Sequence, residues 1–288
     1  MFQNIKLAVI VLVAAEAVVE VLEVAEAQAE AQANESIMEI ATIPMITTAQ
    51  RTSQMMHGAM TSMIGMMPMI IGKTGRVVIK EVYMKVLIIN GSPRIEGNTT
   101  IALNEMVKIF DKEGIETEIV QIGQKDVRGC IACGVCSTKG KCVFDDVVNE
   151  LAPKFEEADG LVVASPVYYA SANATLIACL DRLFYSTSFD KTMKVGASVV
   201  VARRGGLSAT FDELNKYFTI SGMPVASSQY WNSIHGRLKG EAESDKEGLQ
   251  TMRVLARNMS FLIKSIALGK EKYGLPEKEE WQATNFVR

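Results

Sequence analysis

Residues 85–100 read KVLIINGSPRIEGNTT, and the parsing of this stretch decides the fold. A short aliphatic run, Val86-Leu87-Ile88-Ile89, ends in Asn90-Gly91-Ser92-Pro93-Arg94, and after Gly97 the triplet Asn98-Thr99-Thr100 opens a helical pattern. Aliphatic, β-branched residues bounded by turn residues read as a strand buried on both faces. Strand, polar loop and helix start is the layout that seats an anion on a helix N-terminus, where free N–H groups and the dipole favour negative charge. Ser92, Arg94, Asn98, Thr99 and Thr100 supply further donors for a phosphate there. The loop is not a Walker A: five residues, not four, separate Gly91 from Gly97, and Asn98 stands where the lysine would be. A single phosphate without magnesium is the expectation; the plainer reading is an ordinary βα turn with a good N-cap.

Downstream the pattern alternates. Thr99–Glu113 carries apolar residues at helical spacing and Gly114 ends it as C′; Thr117–Gln121 reads as a strand and Asp145–Glu157 as a helix capped by Asp145 or Asp146. Gly160–Ala164 is another buried strand, left by the loop Ser165-Pro166-Val167-Tyr168-Tyr169. Asn173–Tyr185 reads as a helix, Val195–Ala202 as a strand, Leu207–Ile220 as a helix, Pro224–Tyr230 as the last strand and Leu249–Leu268 as a long helix. Strands alternating with helices imply a doubly wound α/β fold with a parallel sheet, whose ligands bind outside the carboxyl ends of the strands. The loops 91–98, 165–170 and 203–206 are then expected to converge on one site.

The chain has 288 residues, enough for a full core, and a net charge of −3 from 30 basic and 33 acidic residues, which gives no nucleic-acid surface. His57 and His235 lie far apart, and of five cysteines four fall between Cys130 and Cys142, a clustering that points to a metal or redox site and not to a disulfide framework.

Residues 1–83 differ in composition from the rest. They hold ten of the sixteen methionines, no cysteine, and Ala-Glu-Gln repetition from Ala14 to Ala33. Lys6 followed by Leu7–Ala15 resembles a signal-peptide core, with cleavage-like sequence at Ala27-Gln28-Ala29 or Ala31-Gln32-Ala33, yet Glu16, Glu20, Glu23 and Glu26 crowd the apolar run, which is too short to span a bilayer. The run Met55 to Met69 offers soft ligands for copper(I), although low-complexity sequence accounts for it more simply. Lys80-Glu81-Val82-Tyr83 can be encoded AAG-GAG-GTN-TAY, a bacterial ribosome-binding sequence just ahead of Met84. The expectation is a leader over 1–83, disordered or assigned from upstream DNA, and a compact α/β domain over 84–288.

Asn-Gly-Ser-Pro-Arg at 90–94 with Gly-Asn-Thr at 97–99, and Ser-Pro-Val-Tyr-Tyr at 165–169, resemble the NADPH-dependent FMN reductase family of the flavodoxin-like superfamily. Gly129–Cys142 narrows the resemblance to the iron–sulfur flavoprotein-like branch; it covers 84–288 and none of 1–83. It implies a flavodoxin-like five-stranded parallel sheet of order 2-1-3-4-5 and bound FMN. By that resemblance Ser92, Arg94, Asn98 and Thr99 cradle the FMN phosphate, and Pro166, Val167, Tyr168 and Tyr169 border the isoalloxazine. An isoalloxazine needs a flat, partly apolar wall with backbone N–H groups near its N5 and carbonyl edges, which such a loop supplies. Arg203 and Gly205 join the cofactor-binding candidates, and Arg203 with Arg204 is expected to hold the phosphates of NAD(P)H, a solvated basic loop being the plainer reading. No G-x-G-x-x-G occurs, so NAD(P)H is expected to lie over the flavin only transiently.

Cys130, Cys133, Cys136 and Cys142 have the spacing C-x2-C-x2-C-x5-C, related to the compact runs of bacterial ferredoxins, with Val143 in place of the ferredoxin proline. Structural zinc prefers two separated C-x2-C knuckles. The resemblance implies a [4Fe-4S] cluster; redox-active or merely reduced thiols are the alternative. Cys179, among Leu176, Ile177 and Leu180, reads as a small buried hydrophobe.

The function expected is a cytoplasmic oxidoreductase taking hydride from NAD(P)H onto FMN and passing electrons to a flavin, quinone or nitro compound, or to a cysteine-ligated cluster. An electron carrier serving ferredoxin and a thiol or flavin redox sensor are the alternatives. A homodimer or homotetramer is expected, with no membrane partner, and the tail Leu275–Arg288, with Trp281 and Phe286, is the segment expected to pack on a neighbour.

Overall fold

The structure, a computed structural model, describes residues 69–71, 77–79, 83–280 and 282–284. The chain divides into two units, Met1–Lys80 and Glu81–Arg288. In the first, Met69–Ile71 pairs antiparallel with Val77–Ile79. The signal-like core, the Ala-Glu-Gln repeat and the methionines before Met69 lie outside the described residues, as do Trp281 and Phe286 of the tail.

The second unit is built on β1 (Met84–Asn90), β2 (Ile115–Gln121), β3 (Gly160–Tyr168), β4 (Ser171–Ala172), β5 (Val195–Ala202) and β6 (Ser233–His235). Its helices are α1 (Asn98–Lys112), α2 (Val135–Lys139), α3 (Val147–Glu157), α4 (Ala174–Ser186), α5 (Leu207–Ile220) and α6 (Lys246–Tyr273). The sheet order is β2-β1-β3-β5-β6, with β4 added as an antiparallel neighbour of β3. Pairings β1–β2, β1–β3, β3–β5 and β5–β6 are all parallel, so the order read along the five main strands is 2-1-3-4-5, as expected.

Alternation along β1 explains the layering. Val86 and Ile88 pack with Leu103 and Met106 of α1 and Met252 and Leu255 of α6 on one face. Leu87 and Ile89 pack with Leu151 and Phe155 of α3, Leu176 and Leu180 of α4 and Leu214 of α5 on the other. Successive strand side chains point to opposite faces, so a continuous aliphatic run is what a doubly covered strand requires. All four are fully buried, each stabilising by about 1.5–3 kcal/mol relative to exposure.

Two strand readings are corrected. Residues 224–230 form no strand beyond a single bridge between Val225 and Gly196; the last strand is Ser233–His235. The Ala226-Ser-Ser-Gln-Tyr-Trp231 stretch interrupts the edge, and pairing resumes where Asn232 O accepts from Val200 N–H at 3.0 Å. The strand leaving Gly160 also does not stop at Ala164; it continues beside β5 to Pro166, and β4 folding back on its end carries it to Tyr168.

Candidate functional site

The loop after β1 is held from within. Asn90 Oδ1 accepts from Ser92 N–H at 2.9 Å, and Asn90 Nδ2 donates to Thr100 Oγ1 at 3.2 Å, tying the start of the loop to the first turn of α1. Ser92 is buried, and its Oγ accepts from Arg94 N–H at 3.2 Å. Thr100 Oγ1 donates to Ile95 O at 2.5 Å. The N-cap of α1 is Gly97, with no side-chain cap, so the first N–H groups of the helix stay available to a ligand. The Arg94 side chain lies at the rim, where Nη1 donates to Arg237 O at 3.4 Å. An uncapped helix start, a buried polar loop and a rim cation fit a dianionic phosphate.

Of the phosphate candidates, Ser92 and Thr100 spend their hydroxyls shaping the loop. Asn98 spends its amide on a segment that sequence reasoning missed: Nδ2 donates to Leu238 O at 2.9 Å and Oδ1 accepts from Ala242 N–H at 3.2 Å. This strap, residues 236–242, follows β6 and crosses the loop, with Lys239 paired to Glu96 at 2.5 Å. A Cβ on Gly236 would sit 2.6 Å from Asn98 Nδ2, so only glycine lets the strap come this close. Thr99 is buried in the first turn.

The second loop is a hairpin. Val167 pairs with Ala172 and Tyr168 with Ser171, and both tip residues are left-handed, Tyr169 at φ 51 and Ala170 at φ 60. Positive φ at both central positions is the type I′ pattern that matches strand twist, adopted here without glycine. Tyr168 is about half exposed and Tyr169 fully exposed, so both tyrosines stand on the surface. Glu213 of α5 anchors the hairpin, accepting from Ser171 Oγ at 2.9 Å and Ala172 N–H at 2.8 Å.

The three loops do converge. Gly91 N–H donates to Ala164 O at 2.8 Å, and Asn173 Nδ2 donates to Gly91 O at 2.6 Å, joining the first loop to the second. Gly206, at φ 87, caps α5, and a Cβ there would lie 2.8 Å from Ala170 Cα, so the third loop abuts the hairpin tip. Arg203, Arg204 and Gly205 are exposed on that loop.

The four clustered cysteines line one recess with Ile131, Phe144, Arg182 and Tyr185. Left-handed residues Ala132, Gly134 and Gly140 wind the backbone through it. Among the described residues, no three His, Cys, Asp or Glu side chains stand where they could jointly hold a metal, so the recess gathers the cysteines without presenting a finished ligand set. As donor chemistry, four thiols on one recess fit an iron–sulfur group. Sequence reasoning missed Arg182, which donates from Nε to Cys142 Sγ at 3.2 Å and pairs with Asp146 at 2.7 Å. Burial works against its charge, but bonds to Asp146 and Cys142 outweigh burial and hold the guanidinium above its usual range. The signal was legible as an arginine on the buried face of α4, alongside Cys179 and Leu183. Cys179 is a buried hydrophobe as expected, and burial pushes its thiol up to about 12.

Among the described residues no helix is long and apolar enough to cross a membrane. Residues 84–237 match the sequence profile of NADPH-dependent FMN reductases. An iron–sulfur flavoprotein of Methanocaldococcus jannaschii is 36% identical over 191 residues, covering 64% of this chain and 99% of the relative. An iron–sulfur flavoprotein of Methanosarcina thermophila is 34% identical over 194 residues, covering 66% and 100%. Among solved structures, the NAD(P)H:quinone oxidoreductase from Methanothermobacter marburgensis superposes with a TM-score of 0.50 at 16% identity, over 62% of this chain and 96% of that one. RosB, solved with a bound riboflavin-phosphate intermediate, gives 0.51 at 18% identity, over 71% and 94%. At those identities the two structures establish the flavodoxin-like fold.

Proposed function

The chain belongs to the NADPH-dependent FMN reductase family, and from that membership we propose that it is an FMN-dependent oxidoreductase that takes electrons from NAD(P)H and delivers them to a small acceptor. The carrying observation is the junction of the uncapped start of α1 with the Tyr168–Ser171 hairpin through Asn173 and Gly91. It brings the uncapped helix start and the tyrosine hairpin together at the carboxyl ends of neighbouring strands, which supports a phosphate seat beside an aromatic wall. When bound, FMN supplies hydride acceptance and one- or two-electron release.

The chain's own residues bind and orient. The N–H groups of Asn98, Thr99 and Thr100 open the helix toward the phosphate, and Arg94 adds a cation at the rim. Ser92 and Asn90 fix the loop, so little ordering is left for binding. Pro166 and Val167 are half-buried and give a partly apolar wall, with Tyr168 and Tyr169 at its outer end. Arg203 and Arg204 are exposed, and in this reading their charge attracts the phosphates of NAD(P)H. Cys130, Cys133, Cys136 and Cys142 would hold an iron–sulfur cluster, which supplies single-electron exchange. Assembly as a homodimer or homotetramer in the cytoplasm belongs to the same reading.

The test is anaerobic purification of the full chain with FMN offered in excess, followed by an absorption spectrum and steady-state oxidation of NADH and NADPH with a flavin, a quinone or a nitro compound. Flavin bands with turnover support the reading. A colourless protein ends it, and flavin without turnover assigns an electron carrier instead.

A further inference from the structure

Arg182 has five N–H donors and no exposed surface to speak of, at 1%. All five are accounted for. Nε donates to Cys142 Sγ at 3.2 Å; Nη1 donates to Arg128 O at 3.2 Å and Asp146 Oδ2 at 2.7 Å; Nη2 donates to Phe144 O at 3.4 Å and Asp146 Oδ1 at 2.9 Å. The partners bracket the cysteine segment: Arg128 precedes Cys130, Cys142 closes the segment, and Phe144 and Asp146 follow it. One side chain from α4 therefore fastens both feet of the loop. The guanidinium also lies against Phe144, 5.1 Å from its ring centre.

The four cysteines are not held alike. Cys142 is fixed by its sulfur and also by its backbone, with N–H donating to Asn149 Oδ1 at 3.1 Å and O accepting from Asn149 Nδ2 at 3.1 Å. Cys130 and Cys133 are exposed, and the one side-chain bond there is local, Cys130 Sγ accepting from Ala132 N–H at 3.4 Å. A buried arginine loses its hydration and persists only where protein partners take its place, and here all five donors have one, a cysteine sulfur among them.

We propose that Arg182 is the positioning residue of an iron–sulfur site: it presents Cys142 as the fixed ligand to which the other three cysteines close, and its Nε–H···Sγ bond raises the reduction potential of the bound cluster. Hydrogen bonds to cluster sulfurs stabilise the more negative, reduced form and so set the potential. The bidentate pair with Asp146 nearly cancels the guanidinium's net charge, leaving the directed N–H dipole as the main lever. This rests on the reading that the four cysteines hold a cluster.

The test uses full chain reconstituted anaerobically with iron and sulfide. Iron per protomer and the EPR-monitored midpoint potential are measured for wild type, R182K and the double variant R182Q/D146N, which leaves no unpaired buried charge. Expected are a full cluster complement in wild type, a potential shifted negative in both variants with R182K the smaller shift, and reduced iron loading in the double variant. A measurement on unmutated protein stands beside these: pulsed EPR of the reduced cluster in 15N-arginine-labelled chain is expected to show a weak 15N coupling. A filled cluster with no such coupling, or with unshifted potentials in the variants, overturns the role of Arg182 and leaves the cluster standing. Wild type that binds FMN but takes up no iron overturns both the cluster and this inference, and leaves the flavin assignment standing.

Discussion

Asn173 Nδ2 donates to the Gly91 carbonyl at 2.6 Å while Asn173 Oδ1 accepts from Thr175 N–H at 2.9 Å, so one side chain caps α4 and fixes the loop after β1 at once. Asn173→Ala removes a cap, worth about 1 kcal/mol. It also strands a buried carbonyl, at about 1–3 kcal/mol. Asn173→Ser keeps an N-cap oxygen but is too short to reach the Gly91 carbonyl, so it loses the second contribution alone. Denaturant midpoints should place Ser between wild type and Ala, with FMN affinity lower in both. Equal stability of Ala and wild type would remove the junction from the argument.

Tyr169 sits at φ 51 with its side chain fully exposed. A left-handed tyrosine is strained by about 1–2 kcal/mol and here buries nothing to offset it. Tyr169→Gly should therefore raise the thermal midpoint of the FMN-free protein by a few degrees. If the ring borders the flavin, the same change weakens FMN binding, giving opposite signs in the two assays. A variant that loses stability without ligand would show that the strain is not there.

The fold was legible because its local signals agree. Val86–Ile89 reads as a doubly buried strand, Leu207–Ile220 and Val195–Ala202 have the bounds the pattern gives, and Gly114 ends α1 at φ 71. What escaped the sequence depends on partners distant along the chain. The strap at 236–242 is defined by Asn98, about 140 residues earlier, and three-residue β6 is too short for a period to show. The length of β3 depends on a type I′ tip carrying Tyr-Ala where the usual signal is Asn-Gly. Asn98 illustrates the limit at the site: its position at the start of α1 was readable, but not that its amide is committed to Leu238 and Ala242.

Asp245 caps α6 through Gly248 N–H at 2.9 Å and accepts from His235 N–H at 2.7 Å. Burial pushes its carboxyl up, but the N–H groups of Gly248 and His235 outweigh burial and hold it below the usual carboxylate range. A depressed folded value means the contribution is complete above the unfolded value, about 3.9, and fades as pH falls through the folded one. Asp245→Asn should cost about 1 kcal/mol at pH 7. The gap to wild type should narrow below about pH 4, read from urea midpoints across pH. A constant gap would mean that ionisation of Asp245 plays no part.

Arg203 and Arg204 are exposed on the loop whose Gly206 abuts the hairpin tip. Reversing both charges removes a local attraction for a phosphorylated cosubstrate while touching no core contact. The double change to Glu should raise the KM for NADPH by about tenfold or more with kcat nearly unchanged, and the effect should shrink as salt is added. An unmoved KM would return these arginines to the solvated surface.

Arg94 is the sharpest probe of the phosphate seat, because a lone phosphate is what separates FMN from riboflavin. Its Nη1 bond to Arg237 O is long, at 3.4 Å, and exposed, so Arg94→Ala should leave stability within about 0.5 kcal/mol. A charge-assisted bond to phosphate is worth about 1.5–3 kcal/mol, so FMN affinity should fall by about 10- to 100-fold. Riboflavin, with no phosphate for Arg94 to meet, should bind wild type and variant alike. Equal losses for both flavins would mean that Arg94 supports the loop in general and that the phosphate is held by the helix start alone.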